Sequence, residues 1–150
     1  MSHPTGMASR PSEAIEDYAK AIYALSQERK GPATNGELAE RLGVAPATAT
    51  SMLKRLAGLG LVDYVPYKGV TLTPAGEKVA LEVIRHHRLL ELYLAQTLGI
   101  HVDEVHAEAD RLEHVLSEEL ESRIDEALGF PTHDPHGDPI PDANLAWPDE

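Results

Sequence analysis

Apolar residues at helical spacing predict three helices in the first sixty residues, each bounded by capping or turn-forming residues. A serine or threonine N-cap precedes the first two helices, and proline at the first helical position opens the third. Gly43 ends the second helix, because glycine adopts the left-handed C-cap conformation without a steric penalty. The helices are expected from Ser12 to near Gly31, from Thr34 to Leu42, and from Pro46 to about Gly60.

A short hairpin and longer helices are predicted to follow. Residues 61–65 and 70–73 read as two strands joined by a turn at 66–69. A fourth helix is expected from about Ala75 to Leu98, and a fifth from about Val102 to Leu120 before a short sixth helix. The chain is thus predicted to be mostly α, with a flexible N-terminus (1–11), a winged helix-turn-helix DNA-binding domain (12–75), a helical domain (76–130) and a proline-rich C-terminal tail (131–150).

The second and third helices with the hairpin have the order of a winged helix-turn-helix, whose second helix enters the DNA major groove. Small and hydroxyl side chains near the start of the third helix would approach bases, and basic side chains would meet phosphates. The alternative is a solvated helix face and an ordinary turn charge. The helix is poor in Arg, Gln and Asn, so specificity would rest partly on DNA shape. The candidate DNA-binding residues are Ala47, Thr48, Thr50, Ser51, Lys54, Arg55 and, in the hairpin, Lys68.

The charge of −12 is distributed unevenly along the chain. Residues 1–75 hold eight Lys or Arg against seven Asp or Glu, whereas residues 76–150 hold five against eighteen. The acidic half therefore suits divalent cations or a second copy of the chain. The sequence has no cysteine, which excludes disulfides and thiolate chemistry. It also has no apolar run of about 18 residues, so a soluble, cytoplasmic protein without a membrane partner is expected.

Histidines and carboxylates in the acidic half recur at one-turn helical spacing. Asp110, Glu113 and His114 are expected to project from one helix face, with His106 one turn earlier, and His87 and Glu91 form a similar pair. Facing carboxylates repel unless a cation lies between them, so this pattern predicts one or two oxygen and nitrogen sites for a divalent ion. Solvated acidic faces with scattered histidines are the alternative.

Other residues of this half are expected to have less specific roles. His86 and His101 are predicted to be solvated, and Arg88 to be either an anion partner or a surface charge. The proline-rich tail offers His133 and His136 no rigid frame for a metal. A dimer surface would draw on apolar residues of the last three helices, which are Val83, Leu90, Leu94, Leu112, Val115, Leu116 and Ile124.

Residues 83–91 (VIRHHRLLE) and 105–117 (VHAEADRLEHVLS), placed after a winged helix-turn-helix, resemble the diphtheria toxin repressor/manganese transport regulator (DtxR/MntR) family. Residues 16–18, 21–23 and 136–141 (HGDPIP) match it too. The resemblance implies a homodimeric, metal-activated repressor, not an enzyme, that binds palindromic operators of metal-homeostasis genes. It implies that residues 76–130 serve metal binding and dimerisation. The implied primary metal site is Asp17, Asp110, Glu113 and His114, and the implied second site is His87, Glu91 and His106.

The sequence departs from the family pattern in three places. Asp17 and Asp110 stand where iron-responsive members have Met and Cys, and the resulting oxygen and nitrogen ligands favour Mn(II), with Fe(II) as the alternative. Lys20 replaces a glutamate ligand of two-domain manganese regulators, which argues against their closely spaced binuclear site. Many members continue into an SH3-like domain that completes the second site, so the second site is incomplete here or the sequence is a shortened form.

Two other classes of function remain open from the residues. One is a winged-helix regulator that senses an organic ligand, with the His and carboxylate pattern incidental. The other is a metal-dependent hydrolase with an open coordination position. The sequence shows neither a cleft-forming α/β pattern nor a loop-borne nucleophile, which argues against the hydrolase.

Overall fold

The computed structural model describes residues 11–149, which form six α-helices and one two-stranded antiparallel sheet. The mostly helical prediction is confirmed, and the predicted flexible segment lies outside the described residues except for Pro11. The elements are α1 (Glu13–Arg29), α2 (Asn35–Leu42), α3 (Pro46–Gly58), β1 (Val62–Val65), β2 (Gly69–Leu72), α4 (Pro74–Leu98), α5 (Val105–Leu112) and α6 (Glu118–Ala127).

The predicted starts of the first two helices are confirmed by their caps. The Ser12 hydroxyl accepts a hydrogen bond from the Ile15 amide at 3.3 Å, at the start of α1. Thr34 and Glu37 form a capping box at the start of α2, in which each side chain accepts from the other residue's amide at 3.0–3.1 Å. Gly43 ends α2 with a φ of 68°. These local signals are sufficient to fix three ends of helices.

The prediction that the fifth helix continues to Leu120 is wrong. Helix α5 ends at Leu112, and the chain turns through residues 113–117 before Ser117 caps α6 by accepting a hydrogen bond from the Leu120 amide at 3.1 Å. Three glutamates lie in the first turn of α6, where the helix dipole favours negative charge. Glu113 and His114 therefore lie in a turn after α5, and not on the face of one continuous helix.

The described part of the chain divides into two compact units, with the boundary between Ala80 and Leu81. In the first unit, α1–α3 pack with the hairpin around fully buried side chains that include Ile22, Leu38, Leu53, Leu56 and Val70. The strands pair with Val62 opposite Leu72, as a hairpin that follows a helix-turn-helix. Gly76 lies so close to the Leu61 carbonyl that a β-carbon would approach its oxygen to 1.9 Å, so only glycine fits there.

The second unit has its own core, and the C-terminal segment is part of it. Ile140 is 2% exposed and packs with Leu89 and Leu92 of α4 and with Leu128. Residues expected to form an extended tail thus contribute to the core of this unit. A second cluster, Leu90, Ala109, Leu116 and Ile124, joins α4, α5 and α6.

Candidate metal centre and nucleic-acid interface

The second unit gathers all six of its predicted metal ligands into one continuous cluster. Two lie on α4, two on α5 and two in the turn after α5. They are His87 and Glu91, His106 and Asp110, and Glu113 and His114.

His87 lies at the centre of this cluster and is buried. Its Nδ1 atom is 2.5 Å from Glu113 Oε1 and 3.4 Å from Asp110 Oδ1. Its Nε2 atom is 3.2 Å from Glu91 Oε2 and 3.1 Å from His106 Nδ1. His87 therefore contacts residues that the resemblance assigns to each of the two predicted metal sites.

His106 and Asp110 form the solvent-facing side of the cluster. His106 Nε2 lies 3.4 Å from Asp110 Oδ2, and His106 Nδ1 lies 3.4 Å from Glu91 Oε2. The His106 side chain is 66% exposed. One donor atom each from His87, His106 and Asp110 lies within 4.8 Å of the others, which is a spacing that a single divalent ion can span. The exposure of His106 and Asp110 leaves a path for an ion to enter.

Glu113 forms the buried side of the cluster, with 1% of its side chain exposed. One carboxylate oxygen faces His87, and the other lies 3.5 Å from His114 Nε2. Burial of a carboxylate is costly unless a positive charge or hydrogen bonds compensate it. The His87 imidazole supplies a hydrogen bond, and a divalent cation would supply the charge.

A third group of donors, which the sequence interpretation missed, joins Glu91 to the C-terminal segment. Donor atoms of Glu91, Asp134 and His136 lie within 4.8 Å of one another, with His136 Nδ1 3.8 Å from Glu91 Oε1. Asp134 Oδ1 accepts hydrogen bonds from the amides of His136 and Asp138, both at 2.9 Å. Among residues 11–149, no donor reaches the buried Asp134 Oδ2. The Asp-Pro-His-Gly-Asp run at 134–138 was the available signal, since aspartate often accepts from the amide two residues later in a turn.

The electrostatics of this group favour a cation. Burial raises the pKa of Glu91, but hydrogen bonds from His87 and Asp134 and the charges of His87 and His136 outweigh it and lower that pKa to about 2. Burial, with the Glu91 carboxylate nearby, raises the pKa of Asp134. Each of these two carboxylates disfavours ionisation of the other, and a divalent cation between them would relieve that repulsion.

Two expectations about nearby basic residues are wrong. His86 is buried and not solvated. Arg88 is neither an anion partner nor a plain surface charge, because its guanidinium donates to the Pro139 carbonyl at 2.7 Å and lies 5.7 Å from the Trp147 ring centroid. His101 is exposed, as expected, and His133 is exposed as well. The arginine contact holds the segment that carries Asp134 and His136.

The predicted DNA-binding residues lie on α3 and the hairpin of the first unit. Five of them are exposed on α3, and Lys68 is exposed at the hairpin tip. The Thr50 hydroxyl instead donates to the Pro46 carbonyl at 3.0 Å and accepts from the Asn35 amide group, which links α2 to α3. Asp17 lies half-buried on α1 of the same unit. The exposed α3 residues are Ala47, Thr48, Ser51, Lys54 and Arg55.

A winged helix-turn-helix with a cluster of histidines and carboxylates in a second unit defines a metal-responsive DNA-binding protein. Comparison with known families agrees with this class. Residues 11–70 match the N-terminal DNA-binding domain of iron-dependent repressors, and residues 73–142 match their metal-binding and dimerisation domain. The chain belongs to this iron-dependent repressor family, the DtxR/MntR family, whose members are regulators and not enzymes.

Individual relatives support the same assignment. An uncharacterised HTH-type transcriptional regulator of Methanocaldococcus jannaschii is 38% identical over 75% of this chain and 90% of its own length. The diphtheria toxin repressor of Corynebacterium efficiens is 38% identical over 86% of this chain and 56% of its own length. A manganese-dependent transcriptional repressor solved with manganese has a TM-score of 0.83 and 47% identity, covering 91% of this chain and 62% of that one. The chain thus spans little more than half of several longer relatives.

None of the helices within residues 11–149 combines the length and apolar character needed to cross a membrane.

Proposed function

We propose that this chain is a homodimeric, metal-activated transcriptional repressor that acts in the cytoplasm on palindromic operators of metal-homeostasis genes. The observation that carries the proposal is the continuous cluster of His87, Glu91, His106, Asp110, Glu113 and His114 in the metal-binding and dimerisation region. Neither an organic-ligand sensor nor a hydrolase accounts for six donors gathered in this way within a repressor family.

Mn²⁺ is the proposed activating ion, and Fe²⁺ is the alternative. The cluster contains only carboxylate oxygens and imidazole nitrogens, which suit Mn²⁺ better than sulfur ligands would. A related repressor was solved with manganese, whereas the related ScaR was solved with bound Zn²⁺ or Cd²⁺. Because Mn²⁺ binds such donors more weakly than later transition metals, its selection in the cell would depend partly on supply.

Two sites are proposed, following the family resemblance. The first would use Asp17 with Asp110, Glu113 and His114, and the second would use His87, Glu91 and His106. The buried Asp134 Oδ2 and the nearby His136 supply further donors to the second site. The ion would supply the positive charge that the buried carboxylates require. The donors from the C-terminal segment support a second site that needs no additional domain.

The proposed switch depends on the positions of the ligands in the chain. Asp17 belongs to the unit that carries the recognition helix, and its three partners belong to the other unit. An ion bound by all four would restrict the two units to a DNA-competent arrangement, in which the recognition helices of a dimer lie about 34 Å apart. Metal acts in this way only if it binds that arrangement more tightly than others.

The proposed dimer surface uses apolar side chains that the single chain leaves exposed. Of the seven residues suggested by the sequence, five are buried within the chain, and Leu112 and Val115 remain available. Leu98, Leu120 and Phe130 of the same unit are also exposed. A contiguous patch of such side chains would be typical of a surface that another protein covers.

The test combines selection of DNA from a random-sequence pool with fluorescence anisotropy. The selected duplex should bind the wild-type chain at least tenfold more tightly with Mn²⁺ than with Mg²⁺ alone. Asp17→Ala should lose this difference and remain dimeric, whereas Asp103→Ala, which removes an exposed loop carboxylate, should retain it. Equal DNA affinity with and without Mn²⁺ contradicts the proposal. Calorimetry that detects no saturable divalent binding would favour the organic-ligand sensor.

A further inference from the structure

The buried His86 ring connects the metal cluster to α6. Its Nδ1 atom lies 3.3 Å from the main-chain carbonyl oxygen of Glu113, and its Nε2 atom lies 3.0 Å from Glu121 Oε1. A carbonyl and a carboxylate are both acceptors, so each ring nitrogen acts as a donor when both hydrogen bonds form. His86 is adjacent in sequence to His87, but its ring is directed to the backbone of the turn and not to the cluster of donors.

Glu121 is in turn fixed by Arg85. The Arg85 Nε atom lies 2.5 Å from Glu121 Oε2, and its other nitrogens donate to Asp125 Oδ2 at 3.1 Å and to the Pro141 carbonyl at 3.0 Å. Burial raises the pKa of Glu121, but the hydrogen bonds and charges of His86 and Arg85 outweigh it and lower that pKa overall. Glu121 is therefore a carboxylate with two fixed partners.

The turn that His86 contacts begins where helix α5 ends. Helix α5 ends at Leu112, and the Glu113 amide donates to the Ala109 carbonyl at 2.9 Å. Glu113 keeps helical backbone angles, with φ −59° and ψ −27°, at the point where the chain enters the turn. The hydrogen bond of its carbonyl with His86 joins the main chain of the turn to α4, beside the side-chain contact between Glu113 and His87. The direction of the Glu113 side chain, and of His114 after it, depends on this stretch of main chain.

We propose that His86 is a positioning residue for the metal centre: held by Glu121 and Arg85, it fixes the main chain at Glu113 and so orients the Glu113 and His114 ligands. This proposal rests on the proposed function, since it takes Glu113 and His114 as ligands. Groups that orient metal ligands without touching the ion change metal affinity by 10–100-fold when they are removed. His86, Glu121 and Arg85 form such a group here.

The test compares two substitutions of His86 with a matched control. His86→Phe keeps an aromatic ring but loses both hydrogen bonds, whereas the side-chain amide of His86→Asn can still donate toward the Glu113 carbonyl. His101→Phe makes the same change at an exposed histidine. Mn²⁺ affinity is measured by calorimetry, and the absorption spectrum of bound Co²⁺ reports the arrangement of the ligands. Circular dichroism checks that each metal-free variant is folded.

We expect His86→Phe to weaken Mn²⁺ binding by about 10–100-fold and to alter the Co²⁺ spectrum. His86→Asn should recover most of the affinity, and His101→Phe should match the wild type. Wild-type affinity and spectrum in His86→Phe would overturn the proposal, as would a His86→Asn variant that is folded but as weak as His86→Phe. If the wild-type chain itself binds no Mn²⁺, the proposed function fails and this proposal fails with it.

Discussion

Replacement of Arg85 by methionine gives the sharpest test of what holds the second unit together. The Arg85 side chain is 4% exposed and lies between the carboxylates of Glu121 and Asp125, which are themselves largely buried. It also donates to the Pro141 carbonyl. Methionine fills a similar volume but leaves two buried carboxylates and one carbonyl without this partner.

The expected cost follows from that burial. Removing one member of a buried ion pair costs about 3–5 kcal/mol, because the remaining charge loses its compensation. The lost hydrogen bond to Pro141 adds about 1 kcal/mol. In a unit of this size each kcal/mol lowers the melting temperature by roughly 4–8 °C, so a decrease of at least about 12 °C is expected.

The assay is urea-induced unfolding of the metal-free chain, followed by tryptophan fluorescence. Trp147 is the single tryptophan and belongs to the second unit, so its signal reports the unit that Arg85 stabilises. Arg123→Met is the matched control, since Arg123 is 73% exposed and pairs with an exposed glutamate on the same helix. It should change the free energy of unfolding by no more than about 0.5 kcal/mol. A loss below about 1 kcal/mol in Arg85→Met would refute the reasoning.

Three further outcomes are expected. Gly76→Ala should destabilise the first unit by more than about 2 kcal/mol in chemical unfolding, because its β-carbon would collide with the Leu61 carbonyl. In the control Gly58→Ala the added β-carbon meets no atom within 4 Å, so this variant should be neutral or slightly stabilised. Ile140→Ala should cost about 2–5 kcal/mol and shift the Trp147 emission, and unchanged emission would argue against a docked C-terminal segment. Because the pKa of Glu91 is lowered in the fold, ionised Glu91 stabilises the metal-free protein above a glutamate's ordinary pKa of about 4.3, and stability should decrease as the pH falls from there toward 2. Glu91→Gln should make the stability less dependent on pH in this range. An unchanged pH dependence in the variant would contradict this expectation.

Local signals in the sequence were sufficient to predict the helices and the hairpin of the first unit and part of the candidate site. The caps at Ser12, Thr34 and Gly43 act within one turn of backbone, and the hairpin follows from a short turn between two β-rich segments. His87 and Glu91 meet because residues four apart share a helix face. Such contacts can be inferred from spacing alone.

The remaining features depend on packing between distant segments. The apolar spacing continues past Leu112, so the spacing predicts a longer helix and misses the turn at Glu113. The Ser117 cap and the acidic first turn of α6 are the signals that a new helix begins there. The burial of His86 requires α6 to lie beside α4, which no local pattern reveals. Asp134 reaches Glu91 because the buried Ile140 and the contact of Arg88 with Pro139 hold the C-terminal segment on the unit.

The exposed α3 residues and Lys68 remain predicted DNA contacts. Thr50 illustrates why the sequence alone does not show which side chains of a helix face the DNA. A hydroxyl near the start of a recognition helix can contact DNA, but it can equally bind its own helix. In this chain it donates to Pro46 and accepts from Asn35. We therefore expect Thr50→Ala to affect the docking of α2 on α3 more than a direct contact to a base.

Anomalous diffraction at the manganese edge, from crystals grown with saturating Mn²⁺, tests the central claim most directly. We expect an anomalous peak within coordination distance of a carboxylate oxygen of Asp17 and of donor atoms from Asp110, Glu113 and His114. A peak bound by the second unit alone, with Asp17 distant from it, would contradict the account, because no ion would then join the DNA-binding unit to the metal cluster.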